Sequence, residues 1–211
     1  MCVRKILKTW RAPGLPQGSV PVLSHSYTPL LLKCFFMIGT RNIWNAMAKI
    51  TGRKRHSIRK SQASALFAGL CAQIGESAAL FMSDRVEILE TNAGFALYLI
   101  DKKPQLMDSG EWVFPTLQGL LEHPFPERRI VVDSGAVPFV VNGADIMRPG
   151  IVSVTEDVKA GCPVQVVEER HGKPLALGVA LYDAGDLMGK TSGKMVKTFH
   201  YIGDDLWNVE F

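Results

Sequence analysis

The stretch VVDSGAVPFVVNGADIMRPGI, residues 131–151, decides how this chain is read. Arg129 to Asp133 (RIVVD) has the composition of a buried strand, and Gly150 to Val154 (GIVSV) has that of a second. Between them stand two Gly-Ala pairs, Gly135-Ala136 and Gly143-Ala144, and the turn-forming dipeptide Pro149-Gly150. Glycine lets a backbone turn tightly and lets another backbone come close.

Working outward, VQVVEE (164–169), PLALGVALY (174–182), KTFHYI (197–202) and LWNVEF (206–211) read as strands. His171-Gly172-Lys173 turns the chain between the first two, and Gly203-Asp204-Asp205 between the last two. Short strands punctuated by Gly, Pro and Asp predict a small barrel. Upstream, RVEILE (85–90) and GFALYLID (94–101) flank a turn at Asn92 and Gly94 and form a hairpin, with a third short strand near 104–108. In FPTLQGLLEH (114–123), Pro115 suits a first helical position, and Leu117, Leu120 and Leu121 share one side. SQASALFAGLCAQIG (61–75) predicts a helix over 61–74, with Ser61 as N-cap and an apolar stripe of Ala65, Leu66, Gly69, Leu70, Gln73 and Ile74. The fold class is therefore α+β: a small α+β domain over residues 47–125, then a β domain over 126–211.

Residues 1–46 read differently. RAPGLPQGSVPVLSHSYTP (11–29) holds four prolines and has no sustained period, and LLLKCFFMIG (30–39) is too short to span a bilayer. That apolar run is also too far from Met1 for a secretory signal. A disordered extension, or an upstream start with Met47 as the natural beginning, is the expectation; an organelle transit peptide is the alternative.

Charge is divided unevenly. Residues 1–75 carry 12 Lys and Arg and no acid, and residues 76–211 carry 12 Lys and Arg against 20 Asp and Glu. A cationic segment on an acidic body points to a polyanionic partner, because releasing counterions from phosphates gives sequence-independent affinity. The cations concentrate in KITGRKRHSIRK (49–60), as Lys49, Arg53, Lys54, Arg55, Arg59 and Lys60. The other reading of this run is a solvated, flexible lead-in to the first helix.

With 47% hydrophobic and 21% charged residues, the chain is not disordered throughout. Four cysteines, at 2, 34, 71 and 162, form no CxxC pair and have no histidine at metal-ligand spacing, so neither zinc nor a disulfide framework is indicated. That usage fits a reducing cytoplasm. No HExxH, GxSxG or catalytic Ser/His/Asp or Cys/His arrangement stands out, and no catalytic residue, metal or cofactor is expected. Asp204 and Asp205 read as solvated turn residues, and Cys71 packs on the helix. His200 reads as structural, and Phe199, Tyr201 and Trp207 as core or barrel-end residues.

AGDLMGKT (184–191) imitates a phosphate-binding loop, with Ala184 where the pattern wants glycine. Such a loop needs a strand before it and a long helix after it. LALGVALY supplies the strand, but VKTFHYIGDDLW after Ser192 and Gly193 is strand-like, so ATP or GTP hydrolysis is a remote third reading. What survives is a Gly-rich loop between late strands that carries Lys190 and Lys194.

Together these motifs resemble a known family. A strand ending in Asp-x-Gly-Ala, a short helix, and a second Gly-Ala before Pro-Gly form the signature of the PUA domain, an RNA-binding module. Asp133, Gly135, Ala136, Gly143, Ala144, Pro149 and Gly150 fit it. FPTL (114–117), GADIM (143–147) and HYIGDDLW (200–207) resemble the malignant T-cell-amplified sequence proteins and their archaeal relatives, over residues 53–211.

The resemblance implies a small α+β domain before a PUA pseudo-barrel, with RNA docking along the short helix and the strand after it. Gly135, Ala136, Gly143 and Ala144 carry over as RNA-binding residues, or else serve only turns and barrel closure. The first helical turn is expected to present unpaired N–H groups to a phosphate oxygen. Local reading adds Arg148, the basic residues of 49–60, Lys190 and Lys194. The implied role is non-enzymatic and translation-linked, through tRNA or rRNA. It would be exercised at the small ribosomal subunit with a partner carrying an initiation-factor-like domain, and no membrane is involved. The rival is an RNA-recognition subunit of a tRNA or rRNA modification enzyme.

Overall fold

The computed structural model describes residues 49–209, which all fall in one compact unit. The expectations for residues 1–46, and for Glu210 and Phe211, lie outside the described residues.

The first half is an antiparallel sheet whose strands lie side by side in chain order: β1 (Gly52–Ser57), β2 (Val86–Thr91), β3 (Ala96–Ile100), β4 (Lys103–Asp108) and β5 (Val113–Pro115). The hairpin around Asn92 and Gly94 forms as read, with Glu90 opposite Ala96. β1 replaces the flexible lead-in: Lys54, Arg55, His56 and Ser57 pair with Glu90, Leu89, Ile88 and Glu87 of β2. The six residues of β1 have no apolar alternation and are all exposed, so the strand exists because β2 offers it a ladder, not because of local pattern.

α1 (Lys60–Ile74) starts one residue earlier than expected. Arg59 rather than Ser61 is the N-cap, and its N–H donates to Gln62 Oε1 at 3.0 Å. The buried stripe is Leu66, Leu70 and Ile74, while Ala65 is exposed. A 3-10 turn, Gly75–Phe81, continues it and buries Ala78 and Phe81. Lys60–Phe81 is long and apolar enough to cross a bilayer by length and composition, yet this stripe packs into the core.

α2 (Leu117–Glu122) is capped by Thr116, whose Oγ1 accepts from Gly119 N at 3.1 Å and donates to the Pro104 carbonyl at 2.6 Å. Pro115 ends β5 and does not open the helix, and Leu121 is exposed while Leu117 and Leu120 are buried. A Cβ on Gly119 would overlap the Gln105 carbonyl oxygen, so the helix seats on β4 only with glycine there.

The second half holds a nearly closed, barrel-like sheet. Its strands are β6 (Arg129–Val132), β7 (Ile146–Met147), β8 (Ile151–Val154), β9 (Pro163–Glu168), β10 (Pro174–Ala180) and β11 (Lys194–Tyr201), in the order β7-β11-β10-β9-β6-β8. β6 runs parallel to β9 and the other pairings are antiparallel. Ile130, Val132, Val164, Val166, Ala176 and Val196 fill it. The α+β class and the barrel read from the sequence are both present.

LWNVEF is not a strand over its described residues 206–209. Asp204 accepts from the backbone N–H groups of Tyr201 (2.9 Å) and Trp207 (2.7 Å) and folds the chain into turns. Its Oδ2 also lies 2.8 Å from Nδ1 of buried His200, so Asp204 is a structural residue and not a solvated one. Leu206, Val209 and Leu177 pack into the core of the first half, tying the two halves together.

Candidate nucleic-acid interface

Around the two Gly-Ala pairs the chain forms α3 (Val137–Val140), which has Ala136 as its N-cap. The expected row of free N–H groups is missing from its first turn. Ala136 N already donates to Asp133 Oδ1 at 2.8 Å, and Pro138 has no N–H to offer. The glycines act through space and backbone freedom. Gly143 has φ +80°, and a Cβ there would sit 2.5 Å from the Tyr201 ring. The result is a low surface, with Gly135 and Ala144 exposed and Ala136 and Gly143 half-buried, from which Phe139 projects at 67% exposure.

Most of AGDLMGKT is a short helix, and Lys190 and Thr191 begin the loop that follows it. α4 (Ala184–Gly189) buries Leu187, and Lys190 is its C-cap. The helix precedes Gly-Lys-Thr instead of following it, so its N-terminus points away from those residues and no phosphate cradle forms. Lys190 Nζ stands 4.2 Å from the centroid of the Tyr182 ring. Lys194 pairs with Asp145, with side-chain exposures of 48% and 29%.

Arg148 links these pieces. Its Nε donates to the Lys190 carbonyl (2.9 Å), Nη1 to the Ile151 carbonyl (3.1 Å) and Nη2 to the Met188 carbonyl (3.2 Å). Its backbone N–H donates to the Gly193 carbonyl at 2.9 Å. The guanidinium thus satisfies carbonyls at the C-terminal end of α4 and holds the 189–194 loop in place.

Arg148, Lys190 and Lys194 are therefore brought together around α4. Arg53, Lys54, Arg55, Arg59 and Lys60 belong to the edge of the other sheet and the start of α1. There Arg55 binds Glu87 through Nε (3.0 Å) and Nη2. α1 has no acidic residue in its first turn, so its positive end adds to these cations. Asp145 and Phe139 were not singled out in the sequence. Asp145 could be found only through its partners, since its Oδ1 accepts from Thr198 N, 53 residues away, at 2.9 Å. No group of three or more His, Cys, Asp and Glu side chains able to hold a metal occurs among the described residues.

A family profile described as PUA domain matches residues 128–202. An uncharacterised protein of Methanocaldococcus jannaschii is 42% identical over 125 residues, covering 59% of this chain and 76% of that protein. Translation machinery-associated protein 20 of Saccharomyces cerevisiae is 29% identical over 132 residues, covering 59% and 72%. Malignant T-cell-amplified sequence 2 of Mus musculus is 30% identical over 130 residues, covering 60% and 67%. The crystal structure of a hypothetical protein from Pyrococcus horikoshii superposes with a TM-score of 0.68 at 35% identity, covering 74% of this chain and 98% of that one. With this sheet order, this signature and these relatives, the chain belongs to the PUA-domain family that contains the malignant T-cell-amplified sequence proteins, translation machinery-associated protein 20 and their archaeal relatives.

Proposed function

We propose that this chain is a non-enzymatic, cytoplasmic RNA-binding protein of translation, which docks structured RNA (tRNA or rRNA) on its PUA half. The observation that carries the reading is the collection of Arg148, Lys190 and Lys194 beside the low Gly-Ala surface of a PUA fold. Kinship with a protein named for association with the translation machinery supports the translation link. Lys190 and Lys194 supply charge at the edge of this surface. Gly135, Ala136, Gly143 and Ala144 keep it low enough for an RNA backbone to approach. Arg148 holds the lysine loop and offers RNA only the N–H groups its carbonyl partners leave over.

The exposed cations of β1 and the start of α1 form a second contact, so that residues 47–125 and 126–211 act as two domains on one RNA-containing particle. The small ribosomal subunit suits that role, with a partner carrying an initiation-factor-like domain. Phosphate contacts of this kind weaken steeply as salt rises. Sedimentation of tagged protein through a ribosome gradient at low salt tests the reading. Co-migration with small subunits, lost on raising the salt, is expected. Absence from every subunit fraction, together with no shift of tRNA in a gel, would refute it.

A further inference from the structure

We infer that the segment joining the two halves, residues 125–129, is a lock and not a hinge, with Arg128 as the positioning residue that fixes the PUA half against the first half. The two cationic surfaces, β1 with the start of α1 and the loop after α4, then meet RNA at one set separation. That consequence rests on the RNA-binding reading above, whereas the lock rests on geometry alone.

Three residues other than glycine have positive φ among the described residues. Asp101 and Lys102 fill the two-residue turn between β3 and β4, where a tight hairpin asks for that conformation. Arg128, at φ +53°, serves no hairpin, and an arginine held there is strained. Such strain persists only where the surroundings over-determine the backbone. Here the Arg128 N–H donates to Asp157 Oδ2 and its carbonyl accepts from Gln165 N, both at 2.8 Å and both in the PUA half. Its Nε donates to the Gln73 carbonyl, in the last turn of α1, at 3.1 Å and stands 3.7 Å from Asp157 Oδ2. One residue, 9% exposed, therefore ties α1 to two places in the second half.

The rest of the segment is held from both sides as well. Phe125 is buried in the first core, its ring centroid 6.1 Å from that of Phe114 and 6.2 Å from that of Phe81. Its carbonyl accepts from Gln165 Nε2 (2.9 Å) and Arg129 Nη2 (2.7 Å). Gln165 Nε2 also donates to the Glu127 carbonyl at 2.7 Å, and Ser77 Oγ donates to Glu127 Oε2 at 2.7 Å. Pro126 has its φ fixed by its ring. A second tether lies elsewhere in the fold: Gln118 Nε2 donates to the Trp207 carbonyl at 3.2 Å, and the Trp112 and Phe199 rings are 5.4 Å apart. A hinge needs residues free to change φ and ψ, and this segment offers none.

Stability is a poor account of Arg128. Its Nη1 is buried with no hydrogen-bond partner among the described residues, and so is Gln73 Oε1. A strained backbone and two unpaired buried polar atoms weaken the fold, which leaves orientation as what the residue supplies.

Nitroxides on unnatural side chains at exposed Glu111 and Lys173, one in each half, report the separation by double electron–electron resonance in the full chain, with and without a tRNA transcript. The wild type should give one narrow distance that tRNA does not move. Arg128→Gly accepts φ +53° without strain but loses the side chain, so it should keep the wild-type circular dichroism and broaden the distance. Asp157→Asn, at a side chain 38% exposed, should broaden it less. The effective concentration of the second contact falls with the range of arrangements sampled, so Arg128→Gly should bind tRNA roughly tenfold more weakly. Its salt dependence should also flatten, because the two surfaces no longer engage together. A broad wild-type distance, one that shifts on binding tRNA, or an unbroadened distance in both variants would overturn the lock. Broadening with unchanged affinity and salt slope would overturn the positioning role. If tRNA does not bind the wild type, the RNA reading fails, and the distances taken without RNA still decide the lock.

Discussion

Truncating Arg148 to alanine removes three donors from three backbone carbonyls, and the size of the loss follows from where those bonds lie. The bonds to the Lys190 and Ile151 carbonyls are partly buried, whereas the bond to the Met188 carbonyl is exposed. A hydrogen bond from a charged donor contributes about 1.5–3 kcal/mol when shielded and much less when water can replace the donor. Taking the low end for the two shielded bonds and almost nothing for the third gives about 3 kcal/mol. For a unit of this size that is a fall in melting temperature of roughly 6–12 °C.

Arg148→Lys sharpens the test, since it keeps the charge and loses the planar fork. If Arg148 acts by holding the 189–194 loop, both variants melt early and both bind RNA more weakly. Circular-dichroism melts and fluorescence-anisotropy titrations with tRNA read both quantities. The reasoning is refuted if Arg148→Ala melts with the wild type while its RNA affinity drops and Arg148→Lys restores it, because the guanidinium would then be free to meet phosphate directly.

Gly143→Ala should destabilise by about 1–3 kcal/mol, because the methyl meets the Tyr201 ring and alanine is strained at φ +80°; chemical denaturation checks it, and a neutral result would mean that Tyr201 moves aside freely. Deleting residues 49–60 would remove a strand as well as charge, so the cleaner variant is Arg53→Ala with Lys54→Ala. If both residues touch phosphate, the slope of log affinity against log salt should shrink by about 1.4–1.8, and an unchanged slope removes β1 from the interface. At the turn between β9 and β10, burial would raise the Glu168 pKa, but the His171 side chain and the N–H groups of Arg170 and His171 outweigh it and lower it. A depressed carboxylate pKa contributes stability above the ordinary carboxylate range and loses it as pH falls through the depressed value. The stability gap between wild type and Glu168→Gln should therefore close on acidification, and a gap that widens would contradict this.

How much was legible depended on whether the deciding contact is local. The β2–β3 hairpin, the strand before Asp133 and the Gly-Ala pairs could be read because period-2 alternation and turn chemistry are properties of neighbours in sequence. β1 could not, since Gly52–Ser57 has no apolar alternation and is held only by its ladder to β2. The end at 206–209 misled because Leu206, Trp207 and Val209 look strand-like, whereas Asp204 captures the backbone on both sides of itself. Arg148 looked like a phosphate contact because only one of its three carbonyl partners, Ile151, is near it in sequence. Its carbonyls come mostly from α4, some 40 residues on. Phe139 sits in an apolar run, VPFVV, that resembles core; only the four-residue helix turns Val140 inward and Phe139 out.

The most direct test is ultraviolet crosslinking of the tagged full chain in cells, reading the RNA by sequencing and the crosslinked peptides by mass spectrometry. The account predicts reads dominated by tRNA or small-subunit rRNA, with modified peptides mapping to residues 134–152 and 189–197 and further ones to 52–60. Crosslinks confined to other RNA classes, or peptides that map only away from these segments, would contradict it.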